Sequence, residues 1–301
     1  MASWQSRLLR LVLKHHLAPK FRRAGISVAG HRQAMDYMAS FSRVPPEARV
    51  EEVDAGGVRA EWVDGSDSNG DRVVYYLHGG GCIMGSPGTH RELASRIGAA
   101  SGARVLLPDY RLAPENPYPA ALQDALAGYR WLLDSGIRPE AIAMGGDSAG
   151  GGLTLQTLLT LRDAGEPLPA ACVLLSPLSD WLNFDGDSYA TRESADPWLS
   201  ESLCRLVAAY YVADADRDDP LLSPVRADLS ELPPMLIQVG DDEVLLDDAT
   251  RLAYRARRAG GDVTLSVWPH LWHVFQGSAH ALPEARQAIE AIGAFLEPRL
   301  R

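Results

Sequence analysis

Cysteine is scarce in this chain, and basic residues are outnumbered. Cys82, Cys172 and Cys204 are odd in number and far apart, which excludes a disulfide framework or a clustered metal site and fits a reducing, cytoplasmic setting. With 29 Lys and Arg against 39 Asp and Glu the net charge is −10. The basic surface that nucleic acid requires is therefore missing, and nucleic acid is excluded as a partner. No apolar run approaches the length of an integral membrane span. Internal repeats and low-complexity stretches are absent as well. What is present, 301 residues with 46% apolar and 23% charged, describes an ordinary globular protein. That length suits one large α/β domain with extra elements, or two small domains.

The amino terminus departs from the acidic average. Arg7, Arg10, Lys14, Lys20, Arg22 and Arg23 all precede Asp36, the first acid. Trp4, Leu8, Leu11, Val12 and Phe21 interleave with them at roughly helical spacing. Arg10, Lys14 and two histidines interrupt any signal-peptide core. A basic amphipathic helix can lie on a membrane surface, but covering another part of the protein is the simpler reading. A second helix is expected from about His31 to Phe41, ending before Pro45-Pro46.

Further on, strand and helix alternate. Val50–Val53 and Val58–Val63 read as a hairpin around Ala55-Gly56-Gly57, with Asp64–Asp71 a polar turn after it. Arg72–Leu77 is a strand that runs into His78-Gly79-Gly80-Gly81. Three glycines after a strand expose backbone amides, and such a loop can aim two donors at one point, as an oxyanion hole requires. His78 reads as structural, holding the loop by a side-chain hydrogen bond. Helices are expected at about Arg91–Ala100 and Tyr118–Leu133, with a strand at Arg104–Leu107 between them. Ala141–Met144 is a buried strand that leads into Gly145-Gly146-Asp147-Ser148-Ala149-Gly150, and a helix follows from Leu153. A serine on so sharp a strand-to-helix corner needs small neighbours; Gly-x-Ser-x-Gly is the nucleophile elbow. Ala171–Leu175, Met235–Val239 and Val263–Val267 complete the strands, and a helix from about Leu282 to Phe295 closes the chain. This alternation predicts a mainly parallel sheet covered on both faces. Only Ser176–Pro234 breaks it, a stretch rich in Asp, Pro and aromatics with one helix at Glu201–Val212 capped by Ser200. Asp214, Asp216, Asp218 and Asp219 begin like a calcium loop, but Asp219 and Val225 stand where glycine and glutamate belong, so no metal site is expected.

Serine, a later acid and a last-strand histidine appear in α/β-hydrolase order. His78-Gly79-Gly80-Gly81, Asp109-Tyr110-Arg111-Leu112-Ala113-Pro114-Glu115 and Gly146-Asp147-Ser148-Ala149-Gly150-Gly151 resemble the signatures of the hormone-sensitive-lipase-like (family IV) carboxylesterases. Leu222-Ser223-Pro224 and Leu232-Pro233-Pro234 fit the run-in to that family's acid strand, and the resemblance covers about Val73 to Phe275. It implies an α/β-hydrolase fold: an eight-stranded sheet, residues 47–301, roofed by a helical cap from residues 1–46 with a contribution from 177–215. It implies a serine carboxylesterase acting on short- to medium-chain acyl esters, with no metal or organic cofactor and a small-molecule ester as partner. Ser148 would be the nucleophile and His273 the base. Gly79, Gly80 and Ala149 would give the oxyanion amides, and Asp109, Arg111 and Glu115 would hold the glycine loop.

The acid departs from the family pattern, because Glu243-Val244-Leu245 stands where Asp-Pro-Leu is usual. Glu243 takes the position by spacing, Asp242 remains the alternative, and Asp247 fits the following helix N-terminus. His270 competes with His273, though only His273 has an aromatic two residues on. Other readings of the same fold are a small-molecule receptor that has lost catalysis, and a thioesterase or peptidase on the same triad. Trp181, Phe184, Trp198 and Trp272 are expected to shape the pocket, and the last strand can pair edge to edge in a homodimer.

Overall fold

Val73-Val74-Tyr75-Tyr76-Leu77 has no polar face, so it is stable as a strand only between two covering layers. The computed structural model describes residues 3–17, 27–65 and 69–301. It contains one eight-stranded sheet in the order β1-β2-β4-β3-β5-β6-β7-β8. The strands are β1 (Arg49–Asp54), β2 (Arg59–Asp64), β3 (Asn69–Leu77), β4 (Ala103–Pro108), β5 (Ile142–Asp147), β6 (Ala171–Leu175), β7 (Met235–Gly240) and β8 (Val263–Trp268). β1, β2 and β4 pair antiparallel, and every pairing from β4 onward across the sheet is parallel, as the alternation predicts.

The faces are covered as the sequence requires. On one side lie α3 (Pro87–Ser101) and α9 (Pro283–Leu296), with Leu93, Ile97, Ile289 and Ile292 in the core. On the other lie α4 (Ala120–Asp134), α5 (Ala149–Asp163) and α8 (Leu246–Arg258), with Leu126, Leu153, Leu158 and Leu252. The chain passes from β3 to β4 on one side and then to β5 on the other. The C-terminal ends of β3 and β5 therefore flank a topological switch point, where such sheets leave a crevice. Leu77 is opposite Gly146 in register, so His78–Gly81 runs beside Asp147–Ser148.

The N-terminal segment forms α1 (Trp4–Val12) and α2 (Val28–Ala39). The second helix begins three residues earlier than expected because Ser27 caps it, its side chain accepting from Gly30 N. The apolar residues expected to cover the protein, Trp4, Leu8, Leu11 and Val12, are exposed; the contact is made instead by Leu9, half-buried, and by Leu13 just after the helix, buried. Lys20, Phe21, Arg22 and Arg23 lie outside the described residues, as does part of the Asp64–Asp71 turn. Between β6 and β7 are the short α6 (Asp187–Thr191), which the sequence did not announce, and α7 (Glu201–Val212) with its expected Ser200 cap. Among the described residues no helix is long and apolar enough to cross a membrane.

The contact of α9 with α3 passes through Gly293, where a Cβ would collide with the carbonyl oxygen of Ala100. Helix propensity alone favours alanine there by about 1 kcal/mol. Overpacking costs about 1–3 kcal/mol and should win. Gly293→Ala is expected to lower the urea midpoint with an unchanged m value; a neutral or more stable variant would show that α9 is free to move off α3.

Candidate active site

Ser148 sits between β5 and α5 with φ 53° and ψ −123°, the strained corner expected of an elbow. A Cβ on Gly150 would run into the carbonyl oxygens of Leu77 and His78, so the close approach of α5 to β3 depends on that glycine. Ser148 N donates to Leu175 O at 2.8 Å, and Leu178 N donates to Ser148 O at 2.9 Å, which ties the corner to β6.

The loop after β8 carries His273 under the sheet edge, with 8% of its side chain exposed. Its Nδ1 is 3.0 Å from Glu243 Oε2, and Glu243 Oε1 accepts from Gly240 N at 3.0 Å. A carboxylate facing Nδ1 places the proton there and leaves Nε2 as an acceptor. Burial pushes the Glu243 carboxyl up, against the opposing pull of His273. For His273 burial disfavours the charge, but Glu243, Asp196 and Asp147 outweigh it and the pKa rises. The rival residues point elsewhere. Asp242 Oδ2 takes Arg10 Nη1 at 2.7 Å, and the His270 side chain is 64% exposed. Asp247 serves the amide of Ser188 near the start of α8, as its position suggested. Asp241, Asp242 and His270 bring ligand atoms within 4.8 Å of one another at the surface, a spacing that can hold a metal ion, but the charge Asp242 meets here is that of Arg10.

The glycine loop requires a correction. Gly79 N points away from the cavity, at Asp147 Oδ1 (3.1 Å) and toward His90 Nε2 (3.3 Å), so it is already engaged. Gly80 and Gly81 border the cavity, at φ 118° and 65°, conformations that favour glycine. Of the three glycines, Gly80 and Gly81 line the cavity and Gly79 does not. Ala149 N, at the first position of α5, is among the amides a helix leaves without an internal partner. His78 is structural, as expected: Nδ1 faces Gly79 O at 2.8 Å, and burial depresses its pKa to about 3.

The second correction concerns Asp109, Arg111 and Glu115. Arg111 binds Asp124, Glu115 binds Arg32 of α2, and Asp109 N bonds Arg59 O. The glycine loop is held by Tyr110, whose hydroxyl donates to His78 O at 2.6 Å and whose ring stacks on His78 at 4.2 Å. Ala113 N adds a bond to Cys82 O at 2.8 Å. Asp147 also takes the Tyr76 hydroxyl at 2.9 Å; burial resists its charge, but His90, Tyr76 and His78 outweigh this and hold its carboxyl below the usual range. Sequence reasoning missed Tyr76, His90 and Asp147, whose only signal was being buried polar groups beside the motifs.

Ser148, His273, Gly80 and Gly81 share one cavity of about 390 Å³. Leu9, Leu13, Met35, Met38 and Phe41 line it from the N-terminal helices, and Leu178, Trp198, Leu199, Leu203 and Val207 from the segment between β6 and β7. Of the four aromatics expected there only Trp198 lines it. Trp181 packs on Tyr211, Trp272 is buried in the core, and Phe184 meets Tyr189 edge-on.

Residues 74–277 match the profile of a family described by its alpha/beta hydrolase fold. An acetyl-hydrolase of Streptomyces hygroscopicus is 48% identical over 244 residues, 81% of each chain. A crystal structure of an esterase from the bacterial hormone-sensitive lipase family superposes with a TM-score of 0.95 at 42% identity, over 100% of both chains. The esterase EstE5, solved after soaking with p-nitrophenyl butyrate, gives 0.94 at 40% identity over 99% of both. The chain belongs to the hormone-sensitive-lipase-like carboxylesterases of the α/β-hydrolase fold.

Proposed function

We propose that this carboxylesterase uses Ser148 as nucleophile, His273 as general base and Glu243 as the acid, on esters with short to medium acyl chains. The observation that carries this reading is that His273, paired with the buried Glu243, lines the same apolar cavity as the strained Ser148. His273 Nε2 takes the proton of Ser148, whose oxygen attacks the ester carbonyl. The amides of Gly80, Gly81 and Ala149 receive the developing oxyanion. The alcohol leaves with the proton from His273, and water repeats the sequence on the acyl-enzyme. Glu243 holds the Nδ1–H tautomer and favours the imidazolium. The described residues of the segment 1–46, with 177–215, act as the roof over the catalytic domain 47–301, since both segments line the cavity. For self-pairing, the edge of β8 is the surface we propose.

Ser148→Ala is expected to lower p-nitrophenyl butyrate hydrolysis by at least about three orders of magnitude. Near wild-type turnover, in a preparation free of host esterases, would remove the serine from the mechanism. Glu243→Gln should lower kcat by about two to four orders of magnitude with the melting temperature retained, while Asp242→Asn costs less than about tenfold. The reverse ranking would move the acid to Asp242. A cavity near the lower end of the usual range for ligand sites favours acyl groups of about two to eight carbons. A rate series from acetate to laurate checks this, and faster turnover on long-chain emulsions than on soluble esters would refute it.

A further inference from the structure

Asp196 is a buried carboxylate that the mechanism above does not use. It precedes α7 with no exposed surface, and its three partners are backbone amides. Oδ1 accepts from Trp198 N at 2.8 Å and Leu199 N at 3.1 Å, and Oδ2 accepts from Val244 N at 3.0 Å. Val244 follows Glu243 directly, and Trp198 and Leu199 line the cavity. Asp196 therefore ties the loop of the acid to the cavity wall from the inside. Arg10 ties the same two segments from the outside, with Nη1 on Asp242 Oδ2 at 2.7 Å and Nη2 on Ala195 O at 3.1 Å.

We infer that Asp196 is a second carboxylate serving His273: a positioning residue that fixes the Glu243 loop and adds negative charge that favours the imidazolium. The inference rests on the serine–histidine reading above. A buried carboxylate is costly when only amides face it, and burial raises the Asp196 carboxyl; the opposing charge is that of His273. That opposing charge is present only while His273 is protonated, which is the state formed as Ser148 loses its proton. Stabilisation is then greater in the transition state than in the resting enzyme, and only such a difference accelerates the reaction. The proton moves from Ser148 Oγ to His273 Nε2 and none reaches Asp196. The charged groups acting on His273 are Glu243 from the loop after β7, Asp196 from before α7 and Asp147 from the end of β5. Glu243 in turn feels Asp196 and the Ser176 hydroxyl.

Asp196→Asn removes the charge at nearly constant volume, and Asp196→Ser keeps an oxygen for the Trp198 and Leu199 amides. Losing a negative charge near His273 lowers its pKa, so the acid limb of the kcat/KM profile should move to lower pH by about half a unit or more. The plateau kcat should fall about ten- to a hundredfold while KM changes less than about threefold. Arg10→Met loosens the same loop without removing the buried charge, and its acid limb should stay in place. A folded Asp196 variant with an unmoved limb would overturn the proposal; failure of both variants to fold would overturn it too, making Asp196 a folding residue. In either case Ser148→Ala would still be inactive, whereas failure of the serine mechanism would show as turnover in Ser148→Ala itself.

Discussion

Ser148 holds a backbone conformation that costs a non-glycine residue about 1–3 kcal/mol, and the rest of the site follows from how that cost is met. Its amide is bonded to β6, its carbonyl to Leu178 N, and α5 presses on β3 across Gly150 with no room for a side chain. The sharp corner also sets where Asp147 goes. One residue before the serine, its carboxylate turns beneath the glycine loop and takes Gly79 N and the Tyr76 hydroxyl. The elbow and the loop are thus one construction. Asp147 fixes the first glycine from behind, which leaves the next two to face the cavity.

The buried carboxylates around the glycine loop and His273 are of two kinds, and their surroundings separate them. Asp147 meets His90, a tyrosine hydroxyl and an amide, and its carboxyl is held below the usual range. Glu243 and Asp196 are buried beside His273 with their carboxyls pushed upward. The first is a settled structural anion. For the other two, burial opposes the charge and His273 favours it. In a low-dielectric interior such differences are larger than at the surface, which is why placement under the sheet edge matters as much as residue type.

Much of this was legible because the relevant constraints are local. Gly-x-Ser-x-Gly, the strand before it and the apolar helix after it specify a corner that few other conformations satisfy. The alternation of elements then fixes a parallel sheet with its crevice at β3 and β5. Spacing favours Glu243 over Asp242 as the acid, and the two adjacent side chains leave the loop in different directions, Glu243 toward His273 and Asp242 toward Arg10. What spacing cannot carry is that the Gly79 amide is taken by Asp147, a residue 68 positions away. Asp109 and Arg111 misled similarly, since the buried tyrosine between them does the holding, while Glu115 reaches the loop only through Arg32. Asp196 left only a faint signal, an acid before proline whose turn bonds amides two and three residues on.

The N-terminal helices are attached at points that flank the chemistry. On α1, Ser3 meets Glu284 and Arg10 meets Asp242 and Ala195; on α2, Arg32 meets Glu115 and the carbonyls of Ile83 and Ala113 beside the glycine loop. Each helix is therefore fastened to a different half of the site, α1 to the acid loop and α2 to the glycine loop. The ion pairs are partly exposed, and such pairs contribute about 0–1 kcal/mol each, so they set register more than strength. Leu9, Leu13 and Met35 pack against the core and also line the cavity. An acyl group bound there would bury the same apolar surface that keeps the helices in place. On the proposed reading, an acyl chain that reaches both helices buries the most apolar surface in this cavity.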